Sequence, residues 1–272
     1  RAKEGERNAL EALVGRIQDR IYKLALRMLY YPADAEDAAQ EILIRIITHL
    51  DGFRGECSFL TWAYRVASNH LLTARKRRAE RWELSFEKYE EAIEEGLSYD
   101  RNRPHKEQEE KLLVEEAKLA CMQGMLLCMN REGRLAFILG DIFQVTGTEG
   151  AEILEISPEA FRQRLSRGRK ELRDFLAGKC GVFHPDNPCQ CHRQLACDME
   201  KRHLVDPRNL LFVKHRCHAR QNESAQRDLM EVQEMQRVAR LFRSHPDYAA
   251  PENFVDIVKQ LAASDQFQLL GK

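Results

Sequence analysis

Strand signals are nearly missing from this sequence. Alternating apolar and polar runs are absent and β-branched clusters are few, which argues against a sheet-based fold and leaves an all-α one. Long apolar runs are missing as well. None could span a bilayer and no signal-peptide pattern opens the chain, so no membrane insertion is expected and the cytoplasm is the expected compartment. Net charge is zero, with 43 Lys+Arg against 43 Asp+Glu, which rules out a simple polybasic binder. Eight cysteines without a secretory signal argue against a disulfide framework. The chain opens on Arg1, so a native start is expected to have been trimmed.

What is present suits two or three helical domains: 272 residues, 43% of them hydrophobic. Charge is unevenly placed. Arg75 to Arg81 and Arg162 to Arg173 are basic blocks, and Glu83 to Glu116 is acid-rich. Ala9 to Tyr30 reads as one amphipathic helix stopped by Tyr31-Pro32. Asp34 is the expected N-cap of a second helix running to about Leu50. A third begins at Phe59 and carries its periodicity into the basic tail at Arg75. Three helices with short loops make a compact bundle over residues 1–82. Residues 83–110 show weak periodicity, with Gly96 and Pro104 as breakers, and read as a flexible acidic linker with room for a short helix in it. Residues 111–178 end in two helices around a tight turn at Glu155 to Ser157, with Ser157 as N-cap and Pro158 as first helical residue.

Two faces carry the candidate chemistry. The second helix leaves Asp37, Gln40, Glu41 and Arg45 opposite its apolar side, an arrangement that by itself suits any solvated face. The third places Phe59, Trp62, Val66, Asn69, Thr73 and Lys76 down one strip, with Arg75, Lys76, Arg77 and Arg78 closing it. That strip suits either a core helix with a charged end or a surface that stacks bases and then holds phosphates.

The segments "DAEDAAQE", "FRGECSFLTWAYRVASNHL" and "ISPEAFRQRLSRGRKELRDF", in this order and spacing, resemble regions 2 and 4 of the extracytoplasmic-function sigma factors of bacterial RNA polymerase. The resemblance covers roughly residues 7–178. It implies a non-enzymatic transcription initiation subunit whose partners are core polymerase and promoter DNA. An anti-sigma factor or other regulatory protein is a further partner of the kind the family uses. Under it, Asp37, Gln40, Glu41 and Arg45 dock on the clamp helices of the largest polymerase subunit. Phe59, Trp62, Arg65 and Asn69 read and open the −10 element, and Arg75, Lys76, Arg77 and Arg78 neutralise phosphates. Pro158 to Phe175 becomes the −35 recognition helix. Arg162, Gln163, Ser166 and Arg167 would face bases there, while Arg164, Arg169 and Lys170 would touch phosphates. Gly168 within that helix, and Gly147 and Gly150 around its partner, make the module read as soft on its own.

Residues 179–200 change character. Cys180, Cys189, Cys191 and Cys197, with His184, His192 and His203 nearby, offer enough soft ligands for a tetrahedral zinc ion. The alternatives are reduced cysteines that pack as small hydrophobes or sense oxidants, since C-x8-C-x-C is not a standard knuckle. Residues 201–272 read as a helical extension with an apolar stripe around Met230 to Phe242, expected to brace the recognition helix or recruit a partner. Two rival functions remain at this point. One is a stand-alone helix-turn-helix regulator. The other is a nucleophilic site at Cys191 and His192, for which no acid partner or oxyanion loop is visible.

Overall fold

The computed structural model describes residues 1–99, 107–213, 234–251 and 254. Its regular elements are helices. α1 (Arg7–Leu29) turns Leu10, Val14, Ile17, Ile21 and Leu24 inward and ends where Tyr30 takes φ 76°. α2 (Pro32–Thr48) starts two residues before the expected cap. Proline at the first helical position lacks only an amide that would be orphaned anyway, and Asp34 falls in the first turn, where its charge suits the helix dipole. α3 (Phe59–Thr73) is capped by Ser58, whose hydroxyl accepts the Thr61 N–H at 3.0 Å.

The basic tail does not continue α3. The helix stops at Thr73, and Arg75 to Arg78 follow in non-helical chain before a 3-10 turn at Ala79–Trp82. Four consecutive like charges disfavour a helical run. The terminal carbonyls of α3 also have a dedicated donor: Arg131 Nη1 reaches Leu72 O at 3.0 Å and Ala74 O at 2.7 Å.

The acidic stretch holds a short helix, longer and better packed than its weak periodicity suggests. Phe86–Ser98 is helix α4, capped by Ser85 and buried through Ile93 and Gly96. Phe86 packs on Phe175 at 5.3 Å between ring centroids, and Tyr89 donates from its hydroxyl to Cys121 O at 2.9 Å. α5 (Glu107–Cys128) leads to α6 (Arg131–Phe137), which passes into a π-turn at Ile138–Ile142. α7 (Gly147–Leu154) opens with a reciprocal capping box between Thr146 and Glu149. Glu155 turns the chain at φ 53°, and α8 (Pro158–Lys179) begins on the expected Ser157 cap.

The two interior glycines of this module tighten it rather than soften it. A Cβ on Gly150 would lie 2.3 Å from the Phe161 ring, and one on Gly168 would lie 2.5 Å from Met129 Cε. Absence of a side chain is therefore what lets α7 and α6 approach α8 so closely.

α9 (Cys191–Glu200) sits on α5 and α4. Leu195, with Val205 and Leu210 beyond it, meets Leu113 and Ala117 of α5 in a small separate cluster. α10 (Glu234–Arg243) packs on α8 and the π-turn. Most of the expected last helix, and the start of the stripe at Met230, lie outside the described residues. The main core is continuous: Leu24, Ala67, Phe137, Leu172, Phe242 and Phe254 all belong to it, so the two modules and the extension share one apolar interior.

Candidate nucleic-acid interface

α2 presents its polar face as expected. Asp37, Glu41 and Arg45 are exposed and Gln40 is half-buried, while Ala38, Ala39, Ile42 and Ile46 close the core behind them. Glu41 is not simply solvated. It accepts from Arg77 Nη2 at 3.1 Å and lies 3.3 Å from His70 Nε2, tying α2 to α3 and its tail. Burial lowers the His70 pKa; Glu41 opposes that and Arg45 and Arg77 reinforce it, so the ring favours its neutral form.

α3 separates its faces cleanly. Ala63, Tyr64, Ala67 and Leu71 are buried, and Asn69 is exposed. Phe59 and Trp62 are half-buried against each other and Phe53, with centroids 5.5 to 5.8 Å apart. Trp62 is thus neither plain core nor a free platform. It belongs to a half-buried aromatic cluster. Beyond the helix, Arg75 and Lys76 are exposed, with Lys76 Nζ 3.4 Å from Glu83. Arg78 stacks its guanidinium 3.7 Å above the Tyr31 ring.

On α8, Arg162, Gln163, Ser166, Arg167 and Lys170 are all exposed. Their spacing of i, i+1, i+4, i+5 and i+8 puts them on one face. Arg164 and Arg169 differ. Arg164 pairs with Glu132 at 2.8 Å, and Arg169 holds the buried Asp141 through two bonds of 2.8 and 2.6 Å. The bidentate partner raises the Arg169 pKa further. These two arginines, expected on phosphates, are engaged inside the module, because the π-turn and α6 bring carboxylates under α8.

Sequence reasoning missed the partners of the α3 face. Arg65 Nε donates to Glu152 O at 3.2 Å and its Nη2 lies 3.4 Å from the Glu152 carboxylate. Asn69 Nδ2 donates to Glu155 Oε2 at 3.3 Å. Tyr64 stacks on Phe143 at 5.8 Å. Helix α7 and the turn at Glu155 therefore contact Arg65 and Asn69 on the face of α3 to which base reading was assigned. Contacts between residues so far apart in the chain leave no local signal.

The zinc expectation finds no support among the described residues. Among the described residues, no group of three or more His, Cys, Asp or Glu side chains is placed to hold a metal ion. Cys180 and Cys189 are joined by an isolated parallel bridge, with Gly181 N donating to Cys189 O at 2.8 Å. Cys191 and Cys197, however, lie six positions apart on α9, about 240° around the helix, and cannot converge. Burial raises the thiol pKa of Cys180, moves Cys189 up to about 11 and moves Cys191 up to about 12. Polar side chains organise the segment instead. The Asn187 amide donates to Leu176 O, Ala177 O and Cys180 O, capping the end of α8.

The family model for Sigma-70 region 2 matches residues 13–81. The chain is similar to the ECF RNA polymerase sigma factor SigW of Bacillus subtilis, at 31% identity over 175 residues, which is 64% of this chain and 92% of that relative. It is similar to the ECF RNA polymerase sigma factor SigE of Mycolicibacterium smegmatis, at 31% identity over 61% of each chain. It is also similar to the ECF RNA polymerase sigma-E factor of Escherichia coli, at 27% identity over 63% of this chain and 88% of that one.

Proposed function

The chain belongs to the extracytoplasmic-function sigma factors, which direct RNA polymerase core to promoters to initiate transcription, and we propose the following division of labour among its residues. Asp37, Gln40, Glu41 and Arg45 dock on core polymerase through charged and amide groups. Phe59 and Trp62 give unstacked bases an aromatic surface, worth about 1–3 kcal/mol per base, and Asn69 offers an amide to a flipped base edge. Arg65 serves the same −10 element, and Arg75, Lys76, Arg77 and Arg78 meet phosphates. Arg162, Gln163, Ser166 and Arg167 read the −35 element in the major groove, with Lys170 on its backbone.

The observation that supports this reading best is the uninterrupted exposed row on α8, set on a helix whose N-terminus is capped by Ser157 and opened by Pro158. That row supports reading α7 and α8 as a DNA-binding region 4, and the region 2 match supports a polymerase-facing role for the first three helices. The protein works by binding and not by catalysis in this reading, beside polymerase in the cytoplasm. No described helix is long and apolar enough to cross a membrane.

Run-off transcription with core polymerase on genomic fragments supplies the promoter, and two variants on that promoter then test the division. Asn69→Ala should reduce permanganate reactivity at the −10 element more than duplex binding. Arg167→Ala should reduce −35 protection, by about 1–3 kcal/mol if it makes a paired base contact. Identical defects in the two variants would overturn the assignment.

A further inference from the structure

Among the described residues, Trp82 and Leu112 are the exposed large hydrophobic side chains, at 36% and 44%. Leu112 stands alone in the acid-rich stretch, and a single exposed apolar residue needs no explanation. Trp82 is different, because it closes the basic tail. We propose that Trp82, with Tyr31, Arg78 and Arg81 around it, is a second stacking platform. It takes an unpaired base of the melted promoter strand beside the −10 element. This rests on the assignment of Arg75 to Arg78 to phosphates.

The fold holds the indole in place from below. In the 3-10 turn Ala79–Trp82, Ala79 is buried and Glu80 is gripped by Arg131, while Arg78, Arg81 and Trp82 are exposed. The indole meets Tyr30 at 5.3 Å and Tyr31 at 5.7 Å between ring centroids, at interplanar angles of 72° and 75°. Both contacts are perpendicular rather than parallel stacks. Tyr30 is itself 2% exposed, so Trp82 rests on the core of the first module and not on a loose loop. A ring fixed in this way loses little freedom when a base stacks on it, which keeps the entropic cost of binding low.

Charge selects the partner. Lys76 pairs with Glu83 and Arg77 with Glu41, and Glu80 is committed inward to Arg131 and Arg134. Arg75, Arg78 and Arg81 are exposed and form no ion pair among the described residues. Arg78 instead lies 3.7 Å above the Tyr31 ring, adding a planar cation to the patch. Three uncompensated cations thus surround two aromatic side chains. That combination suits a polyanion carrying flat apolar rings, which is a single strand of nucleic acid. The tail starts where α3 ends, so the patch continues the strip on which −10 reading is proposed.

The test uses the full chain without polymerase, in which the patch is exposed. Trp62 and Trp82 are the two tryptophans, so W62F leaves Trp82 as the one indole reporter. The probe is a thymidine oligomer of roughly 20 nucleotides, longer than the 4–16 spanned by single-strand binding modules. It should quench Trp82 emission saturably. The same oligomer annealed to its complement should quench several-fold less, because a paired base is not free to stack. W82A should weaken binding of the single strand by about fivefold or more, the low end of what one lost base stack costs. W82F should restore most of that loss, and L112A should bind like the parent. Equal quenching by single strand and duplex, or parent-like affinity in W82A, overturns the platform. R75A/K76A tests the phosphate assignment separately, since it should flatten the dependence of affinity on salt. An unchanged salt dependence would remove the assignment beneath the proposal, whereas a flattened one beside a parent-like W82A would overturn the platform alone.

Discussion

Glu80 grips Arg131 with both carboxylate oxygens, accepting from Nε at 2.7 Å and from Nη2 at 2.6 Å, with its own side chain only 5% exposed. The pair joins the end of the first module to the first turn of α6. Arg134 lies beside it, 3.5 Å from Glu80, and donates to Met28 O and Met129 O. Burial would raise the Glu80 pKa, but the hydrogen bonds and charges of Arg131 and Arg134 outweigh it and hold the carboxyl below its ordinary 4.5.

Removing that charge leaves two arginines in a low-dielectric interface. Glu80→Gln should therefore destabilise the chain by about 3–5 kcal/mol, read by urea unfolding at pH 7. The sign of the pH effect follows from the depressed value. The stabilisation is fully present above pH 4.5 and is lost as pH falls through the lower folded-state value. Parent stability should drop in that acid window more steeply than that of the variant. Equal slopes would show that the pair does not titrate as described.

Polymerase docking can be separated from internal support. Asp37→Ala with Gln40→Ala removes one exposed and one half-buried side chain, neither hydrogen-bonded or ion-paired among the described residues, and should abolish co-purification with core polymerase at unchanged helicity. Glu41→Ala should do both kinds of damage, because Glu41 also accepts from Arg77. Undiminished co-purification of the double variant would remove the docking face.

Much of this was legible from local pattern. Ser157-Pro158 marked the start of α8 to the residue, and the apolar spacing of α1 to α3 gave the bundle. What escaped was set by partners far away. α4 looked like linker because few of its positions are apolar, yet Phe86 and Tyr89 find Phe175 across the fold. Gly168 looked like a weak point by helix propensity, and the close approach of Met129 makes it a packing requirement. The candidate site was legible as residue types on helix faces. That Arg65 and Asn69 are already partnered by Glu152 and Glu155 depends on tertiary docking, which periodicity does not encode.

Two arginines on α8 should part company when removed. Arg167 is exposed, so Arg167→Ala should weaken −35 binding at unchanged melting temperature. Arg169→Ala leaves Asp141 buried without its bidentate partner, so it should lower the melting temperature first, with DNA binding following only as the fold is lost. Footprinting at a temperature where both variants remain folded distinguishes them. An Arg169 variant that is fully stable but blind to the −35 element would return that residue to the DNA face.

The thiols around α9 give the last prediction. Cys121, Cys189 and Cys191 line one small apolar pocket together with Tyr89 and Ile93. Burial is the largest cause of the raised pKa at each, and it also raises Cys180. The reactive species is the thiolate, and a thiol moved to about 11 is ionised to only about one part in a thousand at pH 8. These four cysteines should therefore alkylate with iodoacetamide far more slowly in the native chain than after unfolding in guanidinium, as followed by peptide mass spectrometry. Packing as small hydrophobes explains such protection, and it is the opposite of what an oxidant sensor needs, namely an accessible thiol of lowered pKa. Native-state alkylation of Cys180 or Cys189 as fast as in the unfolded chain would show that the segment opens readily, and would favour the redox role over the packing one.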